Sequence, residues 1–109
     1  MNLLEETKEI LRDNKKSLKD VKWFGSYDLE IVGDIEDVFD IEYDECYGAQ
    51  EIPKDLIVVG KGFWLEREEY DGSEWWVYKS MPLKPRKKIE NPSICGSWVS
   101  LEDLNKDKI

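Results

Sequence analysis

Four carboxylates in the middle of the chain have the spacing of a cation-binding loop. Asp40, Glu42 and Asp44 alternate along the chain, and Glu51 stands at the twelfth position counted from Asp40. The loop of an EF-hand carries oxygen ligands at these positions. The sequence departs from that loop at its sixth position, where Glu45 replaces the glycine that makes the sharp turn. We therefore expect a solvated acidic edge or a partner-binding surface, and keep calcium or small-ligand binding as an alternative.

A second group of carboxylates surrounds an expected hairpin and could in principle supply the acid and base of a glycosidase. The group consists of Glu66, Glu68, Glu69 and Glu74. Their spacing is unspecific, and a chain of 109 residues has little material for a substrate cleft. We therefore interpret them as an ordinary polar strand face.

Histidine is absent from the chain, and this excludes most common hydrolase chemistry. Nucleophile pairs that need imidazole, and zinc sites that contain histidine, cannot be built. The two cysteines, Cys46 and Cys95, have no CxxC spacing and no further ligands to complete a metal site, so we expect reduced thiols. The sequence thus predicts a protein without catalytic residues, metal or cofactor.

The net charge of −9 is concentrated in one part of the sequence. Residues 28–55 contain 11 acidic side chains and one basic one. Such a field repels nucleic acids and anionic membranes, because both bind through clustered Lys or Arg. A protein with a basic surface is the natural complement, and we expect no direct nucleic-acid or membrane binding.

Aromatic residues flanked by charges give a second candidate binding surface. Trp and Tyr in this setting either fill a core or anchor an interface. Trp75 and Trp76 are adjacent, so they must point to opposite faces of a strand, and both are buried only if both faces of the sheet are covered. The predicted partner-binding residues are Asp34, Asp37, Asp40, Glu42, Asp44, Glu45, Trp64, Tyr70, Trp75 and Trp76.

The pattern of apolar residues predicts an α+β fold. An N-terminal helix starts after Asn2, a turn and a strand follow over 17–25, and Leu29 and Ile31 alternate with acids as a further strand. A short helix follows Asp34. Residues 55–80 read as a three-stranded meander, with Asp71 and Gly72 at its second turn. We expect the N-terminal helix to pack on an antiparallel sheet of four or five strands.

The C-terminal part has a different composition. Residues 82–92 form a basic loop with three prolines, which cannot lie in a central strand and could pair with the acidic middle of the chain. Residues 94–99 read as a final strand, and Ser100 can begin a short helix before a frayed end over 104–109. We assign residues 1–109 to a single domain.

The hairpin sequence resembles small acidic proteins encoded by phages and prophages of low-GC Gram-positive bacteria. The resemblance covers roughly residues 3–83, and the C-terminal region departs from it. It rests on Ser17-Leu18-x-Asp20-Val21-x-Trp23, Asp55-Leu56-Ile57-Val58-Val59-Gly60, Trp64-Leu65-Glu66-Arg67 and Tyr70-Asp71-Gly72-Ser73-Glu74-Trp75-Trp76. Proteins of this kind often bind host enzymes, and counter-defence inhibitors that imitate the charge of DNA, including anti-CRISPR proteins, are a prominent class.

These observations lead to one functional hypothesis and two alternatives. The hypothesis is a non-enzymatic phage or prophage protein that binds and inhibits a basic host protein through its acidic face and exposed aromatics. The alternatives are the calcium or small-ligand protein and a structural accessory protein that self-associates through its sheet. The N-terminus lacks the basic and apolar runs of a signal peptide, so we expect a location in the bacterial cytoplasm.

Overall fold

A four-stranded antiparallel sheet forms the centre of the fold in the computed structural model, which describes residues 1–44 and 49–109. The strands are β1 (Val21–Gly25), β2 (Ile57–Gly60), β3 (Phe63–Tyr70) and β4 (Ser73–Ser80). They lie in chain order, so each strand pairs with its sequence neighbour. The prediction of an α+β fold with a central meander is confirmed, with four strands in the sheet.

The β3–β4 hairpin closes at the turn that the sequence predicts. Asp71 and Gly72 have φ angles of 51° and 86°. Two consecutive positive φ angles define the tight turn whose twist matches that of the flanking strands, and Asp-Gly is among its preferred sequences. The turn fixes the register in which Arg67 lies opposite Trp76 and Glu68 opposite Trp75.

One face of the sheet, which we name the core face, is covered by the N-terminal helix. Each strand contributes a buried side chain to this face: Phe24, Val58, Leu65 and Trp76. Helix α1 (Leu3–Asp13) begins at Asn2, whose side chain accepts a hydrogen bond from the Glu5 amide. The helix buries one apolar stripe and leaves its charged side in solvent, as its sequence predicts.

The segment between β1 and β2 completes the cover of the core face. It contains helix α2 (Ile35–Val38), with Asp34 as its N-cap. Ile35 and Phe39 are buried, and the Phe39 ring packs edge-on against Phe24 at a centroid distance of 5.2 Å. The strand predicted around Leu29 and Ile31 is wrong, because only a single bridge between Gly25 and Glu30 forms there.

The last 29 residues, which we name the C-terminal arm (residues 81–109), have almost all their side chains exposed. The strand predicted over 94–99 is absent, while helix α3 (Leu101–Leu104) begins at Ser100 as expected. In place of a frayed end, a 3-10 turn (Lys106–Lys108) follows the buried Asn105, which bonds the backbone of Ser93 and Leu101. The radius of gyration is 18.3 Å, against about 13 Å for a compact chain of this length.

Candidate partner-binding surfaces

The first candidate surface is a run of acidic side chains in the segment that covers the core face. We name residues 28–44 the acidic layer; it contains eight Asp and Glu residues and no Lys or Arg. All eight are exposed, and three of the residues between them, Ile35, Phe39 and Tyr43, are buried in the core. Five of the predicted partner-binding residues lie here, namely Asp34, Asp37, Asp40, Glu42 and Asp44.

Some carboxylates of the acidic layer are already used by the fold. Asp34 accepts a hydrogen bond from the Glu36 amide at 2.9 Å. Asp40 and Glu42 both accept from the side-chain amide of Asn2, and Glu42 also lies 3.7 Å from the N-terminal ammonium. The side chain of Asp37 makes no hydrogen bond or ion pair with the described residues, and it is exposed to solvent.

The expected cation-binding loop is described only in part, because Glu45 lies outside the described residues. The Glu51 carboxylate accepts from the backbone amide of Asp44 at 3.1 Å. Over residues 1–44 and 49–109, no group of three or more candidate ligands is placed to hold a metal ion. The carboxylates of Asp40 and Glu42 instead tie the segment to Asn2 at the start of α1.

The second candidate surface is the side of the sheet opposite the core face, which we name the open face. Three tryptophans and two valines lie on it: Trp23, Val59, Trp64, Trp75 and Val77. None of the five is buried, and Trp75 is 40% exposed. Ile57, on the same face, is buried, so the open face is covered in part and presents Trp75 to solvent.

Glu66 organises the centre of the open face. It accepts a hydrogen bond from the Trp64 indole at 2.9 Å and pairs with Lys79 at 2.7 Å, while the Tyr27 hydroxyl donates to it at 3.4 Å. The bond from Lys79, followed by that from Trp64, lowers the pKa of Glu66 below its usual value. The contacts hold the Trp64 ring in a fixed orientation on the sheet.

Trp76 lies on the core face and must be removed from the predicted binding surface. Its side chain is 4% exposed, and its indole donates to the Thr7 hydroxyl at 2.9 Å. Its ring stacks on Phe39. Tyr70, in contrast, is exposed at the end of β3 beside the hairpin turn. The pleat of β4 thus places Trp75 and Trp76 on opposite sides of the sheet.

The predicted binding residues belong to two separate surfaces. Residues 34–44 of the acidic layer cover the core face, whereas Trp64 and Trp75 lie on the open face, so the sheet stands between them. Asp28 and Glu30, at the start of the layer, lie beside Trp23 near the edge of β1. The sequence-based hypothesis joined the acids and the aromatics in one partner-binding region. The structure does not bring them together.

A buried charged cluster, which the sequence analysis did not identify, connects the sheet to its cover. The Arg67 side chain is 0% exposed and bonds Glu6 at 2.9 Å and Glu74 at 2.7 Å. The Tyr43 hydroxyl donates to Glu6 and accepts from Arg67. The guanidinium also lies 4.7 Å from the centroid of the Trp76 ring. The signal was present in the strand pattern, since Arg67 shares its face with the apolar Phe63 and Leu65.

The environment of the cluster shifts two of its pKa values. Burial is the main reason that the pKa of Tyr43 lies above its usual range, and the Glu6 carboxylate raises it further. Burial alone would lower the pKa of Arg67, but its hydrogen bonds to Tyr43, Glu74 and Glu6 outweigh this, so the pKa is raised. Both groups therefore keep their protons at neutral pH, and the cluster is structural.

Two of the hairpin carboxylates, Glu66 and Glu74, lie on opposite faces of the sheet. Glu74 is buried on the core face, where it accepts hydrogen bonds from Arg67 and from the backbone amides of Glu51 and Ile52. Glu66 lies on the open face. Because the two carboxylates point to opposite sides of the sheet, they cannot flank one glycosidic bond.

Comparison with known protein families, with curated proteins and with solved structures gave no match. Among the described residues, no helix has the length and apolar character needed to cross a membrane.

Proposed function

We propose that this protein is a non-enzymatic binding protein that inhibits a nucleic-acid-handling host protein by occupying its basic groove with the acidic layer. The phage or prophage setting, which the hairpin resemblance implies, is part of this proposal. The observation that carries it is the acidic layer itself: eight exposed acidic side chains with no Lys or Arg among them. Opposite potentials of this kind accelerate encounter and fix the orientation of a complex.

The anchoring of the acidic layer supports the proposal. Ile35, Phe39 and Tyr43 fix the segment to the core, so its charges are held in place by packing. A charged surface that is already ordered loses little conformational entropy when it binds. Glu42 lies 3.7 Å from the N-terminal ammonium, while the side chain of Asp37 makes no bond with the described residues and is exposed to solvent.

Two adjacent carboxylates give the sharpest test. Glu36 and Asp37 are exposed, and their side chains make no bonds with the described residues, so Glu36→Lys with Asp37→Lys reverses charge without removing a cap. The matched control is Glu9→Lys with Glu68→Lys, which changes the net charge by the same amount on α1 and on the open face.

The assay is affinity capture from bacterial host lysate, followed by competition with double-stranded DNA. We expect the wild type and the control to retain one dominant partner, and DNA to displace it. The variant with Glu36→Lys and Asp37→Lys should retain about tenfold less of this partner, which corresponds to a loss of about 1.4 kcal/mol in binding free energy. Equal retention by the variant, resistance to DNA, or no captured protein at low salt would each overturn the proposal.

The open face favours a second candidate function, self-association through the sheet. Trp64 and Trp75 with Val59 and Val77 give an aromatic and aliphatic surface of the type that sheet-on-sheet contacts bury. Sedimentation at two concentrations, with the wild type and with Trp75→Ser, tests this candidate. Association that the substitution abolishes supports it, and a monomer at both concentrations refutes it.

A further inference from the structure

The C-terminal arm contains an apolar groove with a basic rim. The groove has a volume of about 390 Å³. It is lined by Pro85, Ile89, Leu101, Ile109, Arg86 and Lys88. Lys87, also at the groove, is paired with Glu102 at 3.2 Å, whereas the side chains of Arg86 and Lys88 make no bond with the described residues. The groove therefore offers two unneutralised cations beside an apolar floor.

Among the described residues, no ion pair joins the basic side chains of the arm to residues 28–43 of the acidic layer. The ion pair recorded for the 82–92 loop, Lys87 with Glu102, stays within the arm. The molecule is elongated, with extents of 54, 32 and 27 Å along its principal axes. Its apolar side chains remain in solvent, including Leu83, Ile94 and Trp98. An exposed set of apolar residues of this size beside a basic groove is typical of an interaction site.

A matching element lies at the start of the acidic layer. The acidic loop, residues 27–32, alternates Asp28 and Glu30 with exposed apolar side chains, of which Leu29 is 73% exposed and Val32 92%. Neither Asp28 nor Glu30 has a side-chain bond with the described residues. The loop thus combines two free carboxylates with two free apolar side chains.

The backbone of the acidic loop is fixed before any partner binds. The Ser26 hydroxyl accepts hydrogen bonds from the amides of Asp28 and Leu29, and the Ser26 amide donates to the Leu29 carbonyl at 2.7 Å. Gly25, at a φ of +152°, allows the close approach of the Leu29 carbonyl that this turn requires. An ordered, protruding turn loses less entropy on docking than a flexible segment.

We propose that the groove of the arm binds the acidic loop of a second copy of this chain. Arg86 and Lys88 would pair with Asp28 and Glu30, while Leu29 enters the apolar floor. Charge complementarity selects this occupant, because the groove is basic and apolar while the acidic loop is acidic and apolar. The arm of the same chain does not cover this loop. The contact joins two different surfaces, so it is head-to-tail and propagates to a ring or a short chain of copies.

A charge exchange between two variants tests the contact. The groove variant carries Arg86→Glu and Lys88→Glu, and the loop variant carries Asp28→Lys and Glu30→Lys. All four side chains lack bonds in the described structure, so both variants should fold, and unchanged near-ultraviolet circular dichroism checks this. Both proteins remain net negative, since the chain starts at −9 and each variant changes its charge by four. General attraction between them is thereby removed.

Sedimentation velocity is the measurement. We expect the wild type to sediment faster as its concentration rises from about 10 µM to about 1 mM at low salt, and the effect to weaken at high salt. Each variant alone should remain monomeric. Their equimolar mixture should associate again, because the acidic groove of one then meets the basic loop of the other.

Three outcomes overturn the inference. A wild type that stays monomeric at about 1 mM, or variants that associate as strongly as the wild type, leaves the groove without this occupant. If both charge variants still associate and Trp75→Ser does not, the interface lies on the open face instead. The residues changed here differ from Glu36 and Asp37, so this inference and the proposed host inhibitor can fail separately.

Discussion

Replacing Arg67 by Met should be among the most damaging single substitutions in this protein. The guanidinium is the positive centre of the buried cluster, with Glu6 and Glu74 within 2.9 Å. Its loss leaves the Glu74 carboxylate, 0% exposed, without a counter-charge. Breaking a buried ion pair from one side destabilises a protein by about 3–5 kcal/mol. Since whole domains are stable by about 5–15 kcal/mol, the variant should approach the limit of folding.

Urea denaturation followed by tryptophan fluorescence measures this loss, because the Trp76 ring contacts the guanidinium directly. With a urea m-value of about 1.5 kcal/mol per molar, the midpoint should fall by about 2–3 M. Glu6→Gln serves as a comparison variant, because Glu6 lies at the more solvent-accessible side of the cluster. The Glu6 side chain is 11% exposed, so water can reach the partners that it leaves, and its loss should cost about 1–2 kcal/mol.

A double substitution separates the charge from the packing. Arg67→Met combined with Glu74→Gln removes both buried charges, so it should be more stable than the sum of the two single losses predicts. The reasoning is refuted if Arg67→Met shifts the free energy of unfolding by less than about 1 kcal/mol, or if the two losses simply add.

Three smaller perturbations have defined outcomes. Thr7→Val leaves the buried Trp76 indole without its acceptor and should cost about 1–3 kcal/mol in urea unfolding, while Thr7→Ser should keep most of the stability. Gly72→Ala places a side chain at a φ of 86° in the hairpin turn and should lower stability by about 1–2 kcal/mol; an unchanged melting temperature would contradict this. Glu66→Gln removes a carboxylate whose pKa in the folded protein is lowered mainly by its hydrogen bond with Lys79. A lowered pKa means that the ionised carboxylate stabilises the folded state. This stabilisation is present above the unfolded pKa of 4.5 and is lost as pH falls through the lowered pKa of the folded state. The difference in unfolding free energy between wild type and Glu66→Gln should therefore be largest near pH 7 and shrink toward pH 3.

The elements that the sequence predicts well are those with local signals. Asn2 before an apolar stripe defines the start of α1, and Asp71-Gly72 between two β-rich runs defines the hairpin. The strands predicted over 94–99 and around Leu29 failed for a different reason. Each has apolar residues at strand spacing, but a strand exists only where a neighbour accepts its backbone hydrogen bonds, and the sequence does not specify that neighbour.

The binding surfaces were predictable as residue types but not as an arrangement. Periodicity assigns Trp75 and Trp76 to opposite faces of β4, yet it does not state which face is covered. That is decided by long-range packing, in which α1 and the Phe39 segment cover the same side. The acids of the middle segment were correctly expected to be exposed. Their separation from Trp64 follows only from the side of the sheet on which the segment lies.

The sheet between the acidic layer and the open face limits how one partner can use both. Asp37 and Trp75 lie on opposite sides of the sheet, so a rigid globular partner that contacts Asp37 cannot also cover Trp75 unless it wraps around an edge of the sheet. The acidic layer and the tryptophans of the open face therefore act as independent binding sites. Their binding free energies add only when a partner makes a separate contact with each site. A complex in which a rigid partner contacts only residues 34–44 of the acidic layer should leave Trp64 and Trp75 accessible, because these tryptophans lie on the other side of the sheet.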